Sequence, residues 1–133
     1  MEQRFPRDIK ALDSIFQFVA ACLAATGIET DQAFTVDLII EELFTNLVKY
    51  GRGGVQPISI ELAQDGGNLV IRITDFDGEP FDLTKVPAVD VTRPLAERSP
   101  GGLGIHFVRQ LADELRYEHA GGASTITAVK RLE

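Results

Sequence analysis

The chain has 133 residues, a net charge of −7 at pH 7 and one cysteine, Cys22. Its length predicts one domain over residues 1–133, large enough for a single hydrophobic core. One cysteine excludes an internal disulfide, so we expect a cytoplasmic protein. The acidic balance argues against direct nucleic-acid or anionic-membrane binding, because phosphate surfaces attract basic proteins. No uninterrupted apolar run approaches the ~18 residues of a membrane span.

The first half of the chain has the 3.6-residue apolar spacing of two helices. The spacing predicts one helix over Asp8–Ala25, which stops at Gly27. A second, strongly apolar helix is predicted between an N-cap at Thr30 or Asp31 and a C-terminal glycine at Gly51.

The second half alternates apolar and polar residues, as strands do. "PISIEL" and "LVIRITD" predict a hairpin with its loop at Asp65–Asn68, and "LRYEHA" and "STITAVKRL" predict a closing hairpin. Between them, Asp82–Gly101 has three prolines and no period, which is typical of a lid, and Ile105 to about Leu115 is predicted as a helix. This order predicts an α+β fold with a mostly antiparallel sheet and helices on one face.

The second helix carries a polar pair, Glu42 and Asn46, one turn apart beside an apolar stripe of Ile39, Leu43 and Leu47. An amide oxygen can ligate Mg²⁺, and a carboxylate can activate a hydroxyl. A solvated polar edge of an amphipathic helix has the same spacing, so the pair alone does not decide between the two interpretations.

The segment "RITDFDGEPFD" ends the first hairpin with an aspartate, Asp75, that has the parity of the apolar residues before it. A carboxylate on an apolar face is costly unless a donor pairs with it. A ligand amine such as that of adenine would serve, and so would N–H groups of the local turn at Asp77 and Gly78.

The segment "SPGGLGIHFVRQLAD" places glycines at the start of a helix, where N–H groups and the helix dipole favour an anion. A simple turn explains the same glycines. Phosphate binding is therefore one of two interpretations of Gly102 and Gly104.

Taken together, the three segments resemble the N box and the two glycine boxes of the ATPase superfamily shared by histidine kinases, DNA gyrase and MutL. Within it, "EELFTNLVKYG", "DGEPFD", "PGGLGIHFVRQLADELRYE" and "TITAVKRL" resemble the compact anti-sigma-factor serine/threonine kinases. The resemblance runs from the second helix to the last strand. It implies a two-layer α/β sandwich with a mostly antiparallel mixed sheet, the Bergerat ATP-binding fold.

The resemblance also implies roles for individual residues toward ATP and Mg²⁺. Glu42 would be the general base and Asn46 the metal ligand, with Lys49 one turn later also at the nucleotide. Asp75 would accept from the adenine amine, and Gly78 would let the backbone pass close to the base.

The lid end of the site would follow from the second glycine box. Gly102, Leu103 and Gly104 would touch the phosphates at the hinge of the lid. Arg98, just before them, is a candidate for the terminal phosphate by its charge and position.

One spacing departs from the family pattern, which usually has one residue between the aspartate and the glycine, whereas two separate Asp75 from Gly78. Either Phe76 or Asp77 is an insertion, or Asp77 has taken over adenine recognition. Strand parity favours Asp75.

The resemblance implies an anti-sigma factor that phosphorylates a STAS-type antagonist and binds a sigma factor or similar regulator, as a homodimer. The alternative is a nucleotide-binding module with weak or absent catalysis, which regulates a partner by sequestration.

Overall fold

A computed structural model describes residues 1–27, 32–50, 53–80 and 108–132 of the chain. The elements that lie wholly within these ranges are five strands, two α-helices and one 3-10 turn, and residues 108–111 are also helical. In chain order they are β1 (Glu2–Phe5), the 3-10 turn (Ile9–Ala11), α1 (Leu12–Thr26), α2 (Ala33–Tyr50), β2 (Ile58–Asp65), β3 (Asn68–Asp75), β4 (Glu114–Ala120) and β5 (Ala123–Arg131).

The strands form one sheet in the order β1-β2-β3-β5-β4, and the pairings between these strands are antiparallel. α1 contacts β2 and α2 contacts β3. Alternate residues of the three central strands point toward the helices and are buried: Ile58, Ile60, Leu62, Leu69, Ile71, Ile73, Ile126 and Ala128. The two-layer α+β architecture with helices on one face is confirmed.

The helices complete the core with one apolar face each. The predicted stripe of Ile39, Leu43 and Leu47 on α2 is buried, as are Ile15 and Val19 on α1. The hairpin loop at residues 65–68 and the closing hairpin are also confirmed.

Both ends of the first predicted helix are informative. α1 ends at Thr26, and Gly27 follows with a φ of 72°, as predicted. At the other end, Asp8 caps a 3-10 turn rather than an α-helix, since its side chain accepts from the Lys10 N–H at 2.9 Å. The predicted caps of the second helix, residues 30, 31 and 51, lie outside the described residues.

The order predicted from the sequence was wrong at the N-terminus, where it lacked β1. This strand pairs with β2, and its Phe5 is buried against the core. The segment is only four residues long and carries charged residues, so its alternation is too short to stand out. Pairing across the chain, which is a tertiary effect, makes it a strand.

The predicted helix from Ile105 to Leu115 was wrong at its C-terminal end. Residues 108–111 are helical, but Asp113 donates its N–H to the Val129 carbonyl at 2.8 Å and Leu115 lies in β4. Pairing with β5 therefore ends the helix before its apolar pattern ends. Residues 81–107, including the predicted lid, lie outside the part that the structure describes.

The segment Ile9–Thr26 has a mean hydropathy of 1.4, which by length and composition would suffice to cross a membrane. This is weak support for a span, because core helices have the same composition. Its residues Ile15, Val19, Cys22 and Leu23 are buried in the core formed with α2 and the sheet.

We expect the buried stripe of α2 to dominate stability. Leu43→Ala should lower the free energy of unfolding by about 2–5 kcal/mol, because Leu43 is fully buried and the protein cannot refill the space. Phe34→Ala on the same helix is the control, since Phe34 is 75% exposed and should change stability by less than about 0.5 kcal/mol. Urea unfolding measures both, and equal losses would contradict this packing.

Candidate functional site

The centre of the candidate site is the carboxylate of Asp75, the last residue of β3. Asp75 continues the inward-facing row of Ile71 and Ile73, and it is only 1% exposed. The sequence prediction that this carboxylate needs a partner is confirmed, but the partner is a residue that the sequence analysis did not consider.

The partner of Asp75 is Arg7, which lies in the connection between β1 and the 3-10 turn. The guanidinium meets the carboxylate with two nitrogens: Nη1 donates to Oδ2 at 3.1 Å, and Nη2 donates to Oδ1. Such a two-point pair is the geometry in which arginine binds carboxylates most strongly. Arg7 is itself 12% exposed, so the ion pair is largely shielded from water.

The turn after β3 supplies further donors to the same carboxylate. The N–H of Gly78 donates to Asp75 Oδ1 at 2.9 Å, and the N–H of Asp77 donates at 3.3 Å. The second interpretation of this segment, an aspartate that binds local N–H groups, is therefore also confirmed. Three protein donors converge on Oδ1, and Oδ2 contacts Arg7.

Two glycines make room for this ion pair. A Cβ on Gly78 would collide with the Asp75 carboxylate, and a Cβ on Gly54 would collide with the Arg7 guanidinium. Both charged groups are thus pressed against bare backbone. The sequence analysis predicted close approach at Gly78 to a nucleotide base, whereas in this structure the close neighbour is the Asp75 side chain.

Asp77 binds a different backbone segment. Its Oδ2 accepts from the N–H groups of Val55 and Gln56 at 3.0 and 3.1 Å, and its Oδ1 lies 3.3 Å from Arg7 Nη2. Phe76, between the two aspartates, has the Arg4 guanidinium 4.5 Å from the centroid of its ring. Both aspartates of this segment therefore contact Arg7.

The pKa of the Asp75 carboxyl reflects these opposing effects. Burial alone would raise this pKa, but the hydrogen bond and charge of Arg7, together with the N–H groups of Gly78 and Asp77, bring it below the ordinary value. The same pair raises the pKa of Arg7, chiefly through its hydrogen bond to Asp75. Both groups are charged at neutral pH.

The second part of the site is the polar pair on α2. Asn46 is 3% exposed, and its Nδ2 donates to the Glu42 backbone carbonyl at 2.6 Å. This bond identifies Oδ1 as the amide atom that could ligate a metal, although which end of an amide carries the oxygen is assigned from such contacts. The predicted one-turn stacking of Glu42 and Asn46 is observed.

Glu42 is partly buried at the edge of the core. Burial raises the pKa of its carboxyl, the negative charge of Glu41 raises it further, and Lys49 opposes the shift. Lys49 is exposed on the last turn of α2, so its charge is felt at Glu42 although its side chain lies in solvent. A carboxylate with a raised pKa is a better proton acceptor, which is the property a general base needs.

The two halves of the site differ in how well they fit the implied ligands. In the described ranges no group of three or more His, Cys, Asp or Glu side chains could hold a metal. Mg²⁺ bound with a nucleotide needs only one or two protein oxygens, so Asn46 fits it. The adenine amine does not fit Asp75 as it stands, because Arg7 occupies the carboxylate.

One further polar residue at this end of the sheet was missed. Ser124 lies directly opposite Asp75 on β5 and is 4% exposed. Its Oγ contacts the Tyr117 hydroxyl at 3.1 Å and the His119 Nδ1 at 2.9 Å. The inward parity that Ser124 shares with Ile126 could have revealed it. Arg7 had no comparable signal, because its contact lies 68 residues away in the chain.

The remaining predicted residues are Arg98, Gly102, Leu103 and Gly104. They lie outside the described residues, so their proximity to Glu42 or Asp75 stays a prediction. The structure brings together Asp75 at the end of β3 with Asp77 and Gly78 in the turn that follows. Glu42 and Asn46 form a separate pair on α2, which contacts β3.

Comparison with known proteins agrees with this architecture. The sequence model of the histidine kinase-like ATPase domain matches residues 5–130. The chain belongs to this family. Relatives include the serine-protein kinase RsbW of Bacillus cereus, 24% identical over 131 residues that span 95% of this chain and 81% of the relative. RsbW of Halalkalibacterium halodurans is 27% identical over 112 residues, which span 75% of this chain and 67% of that relative.

Solved structures show the same fold. The RsbU and RsbW domains of a Mycobacterium tuberculosis protein superpose with a TM-score of 0.68 at 19% identity, over 98% of this chain and 32% of that one. The SiaB–SiaC complex of Pseudomonas aeruginosa gives a TM-score of 0.66 at 16% identity, over 97% of this chain and 88% of that one. At these identities the likeness concerns the fold alone.

The lowered pKa of Asp75 predicts an acid-sensitive contribution to stability. Asp75→Asn should lower the free energy of unfolding by about 1.5–3 kcal/mol at pH 7, the value of a hydrogen bond to a charged group. The charged carboxylate stabilises the folded state fully above about pH 4, where aspartate ionises in unfolded chains. This stabilisation is lost as the pH falls through the lower pKa of folded Asp75, so the difference between wild type and variant should shrink there.

Urea unfolding between pH 2 and 7 measures this difference. Asp65→Asn is the control, because Asp65 is exposed at the hairpin turn. A gap between wild type and Asp75→Asn that stays constant with pH would contradict the charged pairing of Asp75 with Arg7.

Proposed function

We propose that the protein is an ATP-dependent serine/threonine kinase that phosphorylates a STAS-type antagonist and, in another state, sequesters a sigma factor. The observation that carries the proposal is the pair on α2, where a partly buried carboxylate with a raised pKa stands one turn from a buried amide. Membership of the kinase-like ATPase family gives this pair its chemical meaning.

Each residue of the pair has one task in the proposed reaction. Asn46 would hold Mg²⁺ through Oδ1, and the metal, when bound with ATP, supplies neutralisation of the phosphate charge. Glu42 would orient the serine or threonine hydroxyl and take its proton as the oxygen bonds to the terminal phosphorus. The bond from that phosphorus to the ADP oxygen breaks, so ADP leaves and the proton stays on Glu42.

The lid residues complete the proposed site. Gly102, Leu103 and Gly104 would present backbone N–H groups to the phosphates, and Arg98 would bind the terminal phosphate. Hydrogen-bond donors that point at the negative charge developing in the transition state usually supply the largest part of the rate enhancement.

The partners are proposed from the relatives. The two relatives described above are named as serine-protein kinases, and the M. tuberculosis neighbour is named for its RsbW domain. We extend this to a cytoplasmic, homodimeric regulator in one domain that acts on proteins rather than on DNA. The net charge of −7 suits a basic surface on the regulator that it binds.

One observation favours a second candidate function, a module that binds its partner with weak or no catalysis. The carboxylate expected to recognise adenine is already paired with Arg7, which would weaken nucleotide binding. Such a module could keep the fold, bind the nucleotide weakly and lose the chemistry. Phosphotransfer measurements separate the two functions.

We predict that Glu42→Gln lowers phosphotransfer by about 100-fold or more, because it removes the base and keeps the shape. Binding of Mg·ATP should persist, since Glu42 is not among the residues expected to bind the nucleotide. Transfer of labelled phosphate is measured to each STAS-domain protein encoded in the same genome, and binding is measured as the rise in Tm with Mg·ATP.

Glu41→Gln is the matched control, because it removes a neighbouring charge that is only the second cause of the raised Glu42 pKa and keeps the base itself. Its phosphotransfer should fall far less than that of Glu42→Gln. Binding of Mg·ATP without any transfer by the wild type would favour the second candidate. Absence of ATP binding at millimolar nucleotide would overturn the kinase proposal.

A further inference from the structure

The adenine end of the site carries an inference that rests on the proposed function and deepens it. The carboxylate expected to accept the adenine amine is buried, and its accessible directions are taken by Arg7 and by the turn after β3. The guanidinium contacts both oxygens of a carboxylate that is only 1% exposed. An incoming amine therefore needs the guanidinium to move before it can reach Asp75.

The arrangement around Arg7 is a built site rather than a chance surface contact. Its guanidinium is held by Asp75 on two nitrogens and lies 3.3 Å from Asp77 Oδ1. Gly54 leaves room for it on one side, where any side chain would collide with it. The loop at Val55 and the turn at Gly78 are thus joined through the same cluster of charges.

Arg7 lies outside the regular elements on either side of it. Arg7 lies in the connection between β1 and the 3-10 turn, where the Asp8 N–H bonds back to the Pro6 carbonyl at 2.8 Å. It is outside the ladder between β1 and β2, whose pairing ends at Phe5. Releasing the guanidinium therefore breaks no strand pairing and leaves Phe5 in the core.

We propose that Arg7 competes with the adenine amine for Asp75, so that nucleotide binding and release of the Arg7 segment are coupled. An exocyclic amine donating to Asp75 replaces part of the hydrogen bonding that the guanidinium gives up. Since linkage is reciprocal, whatever holds Arg7 on Asp75 weakens ATP, and ATP loosens the segment around Arg7. The base pocket is then closed by its own chain until the nucleotide displaces the arginine.

The test compares Mg·ATP with Mg·ITP, whose base has a carbonyl oxygen in place of the adenine amine. Arg7→Gln should bind ATP roughly tenfold more tightly than the wild type does, because the amine then displaces no charged donor from Asp75; tenfold corresponds to about 1.4 kcal/mol. Its affinity for ITP should change little, because ITP has no amine at that position to donate to Asp75. Isothermal titration calorimetry on the full chain measures all four affinities.

The direction of the effect is diagnostic because simple electrostatics predicts the reverse. Removing a positive charge near a polyanionic ligand should weaken its binding. Arg116→Gln is the matched control, since Arg116 is exposed on β4 and pairs there with Glu114. This control should leave the ATP affinity unchanged or slightly weaker.

A measurement on the wild type covers the case in which Arg7→Gln unfolds because a buried carboxylate has lost its partner. Hydrogen exchange of the peptide spanning residues 5–12 should accelerate when Mg·ATP binds, since Arg7 no longer anchors it. Slower or unchanged exchange in that peptide, with ATP bound, would overturn the inference.

The outcomes separate this inference from the kinase proposal. If the wild type binds ATP and Arg7→Gln binds it equally or more weakly, the inference fails and the kinase proposal stands. An equal increase in the affinity of Arg7→Gln for ATP and for ITP also overturns it. The increase would then come from the space that the shorter side chain opens and not from competition for Asp75. If neither protein binds ATP at millimolar concentration, both proposals fail.

Discussion

A buried carboxylate at the end of β3 constrains the structure around it. Asp75 sits on the apolar face of the sheet with 1% exposure, where an unpaired charge would be strongly destabilising. Arg7 in the N-terminal connection pairs with this carboxylate, and N–H groups of the turn after β3 donate to it. A Cβ at Gly54 would meet the guanidinium and a Cβ at Gly78 would meet the carboxylate, so both glycines accommodate the pair in its present position.

The two ends of the candidate site are built on different physical principles. The proposed metal end depends on one helix, in which the Asn46 amide donates to the Glu42 carbonyl one turn earlier. The proposed base end depends on an ion pair between residues far apart in the chain. A buried pair of this kind is often close to neutral for stability, but removing one partner is strongly destabilising. Any ligand that displaces Arg7 must therefore supply hydrogen bonds to Asp75 in its place.

Much of the fold could be predicted because its elements are locally encoded. The stripe of Ile39, Leu43 and Leu47 and the turn residues of both hairpins indicate their elements directly. Two features could not be predicted, because contacts distant in the chain decide them. β1 is a strand because it pairs with β2, and the helix at residues 108–111 ends where pairing with β5 begins. Similarly, the parity of β3 predicted that Asp75 is buried and needs a donor, but Arg7 is 68 residues away and no local pattern reveals it.

We have proposed that Asp75 belongs to a nucleotide site whose base end is closed by Arg7. A crystal structure of the protein with Mg²⁺ and a non-hydrolysable ATP analogue would test this proposal most directly. We expect an adenine amine within hydrogen-bond distance of Asp75, Asn46 Oδ1 on the metal and the Arg7 guanidinium displaced. An intact contact between Arg7 and Asp75, with the base bound elsewhere, would contradict it.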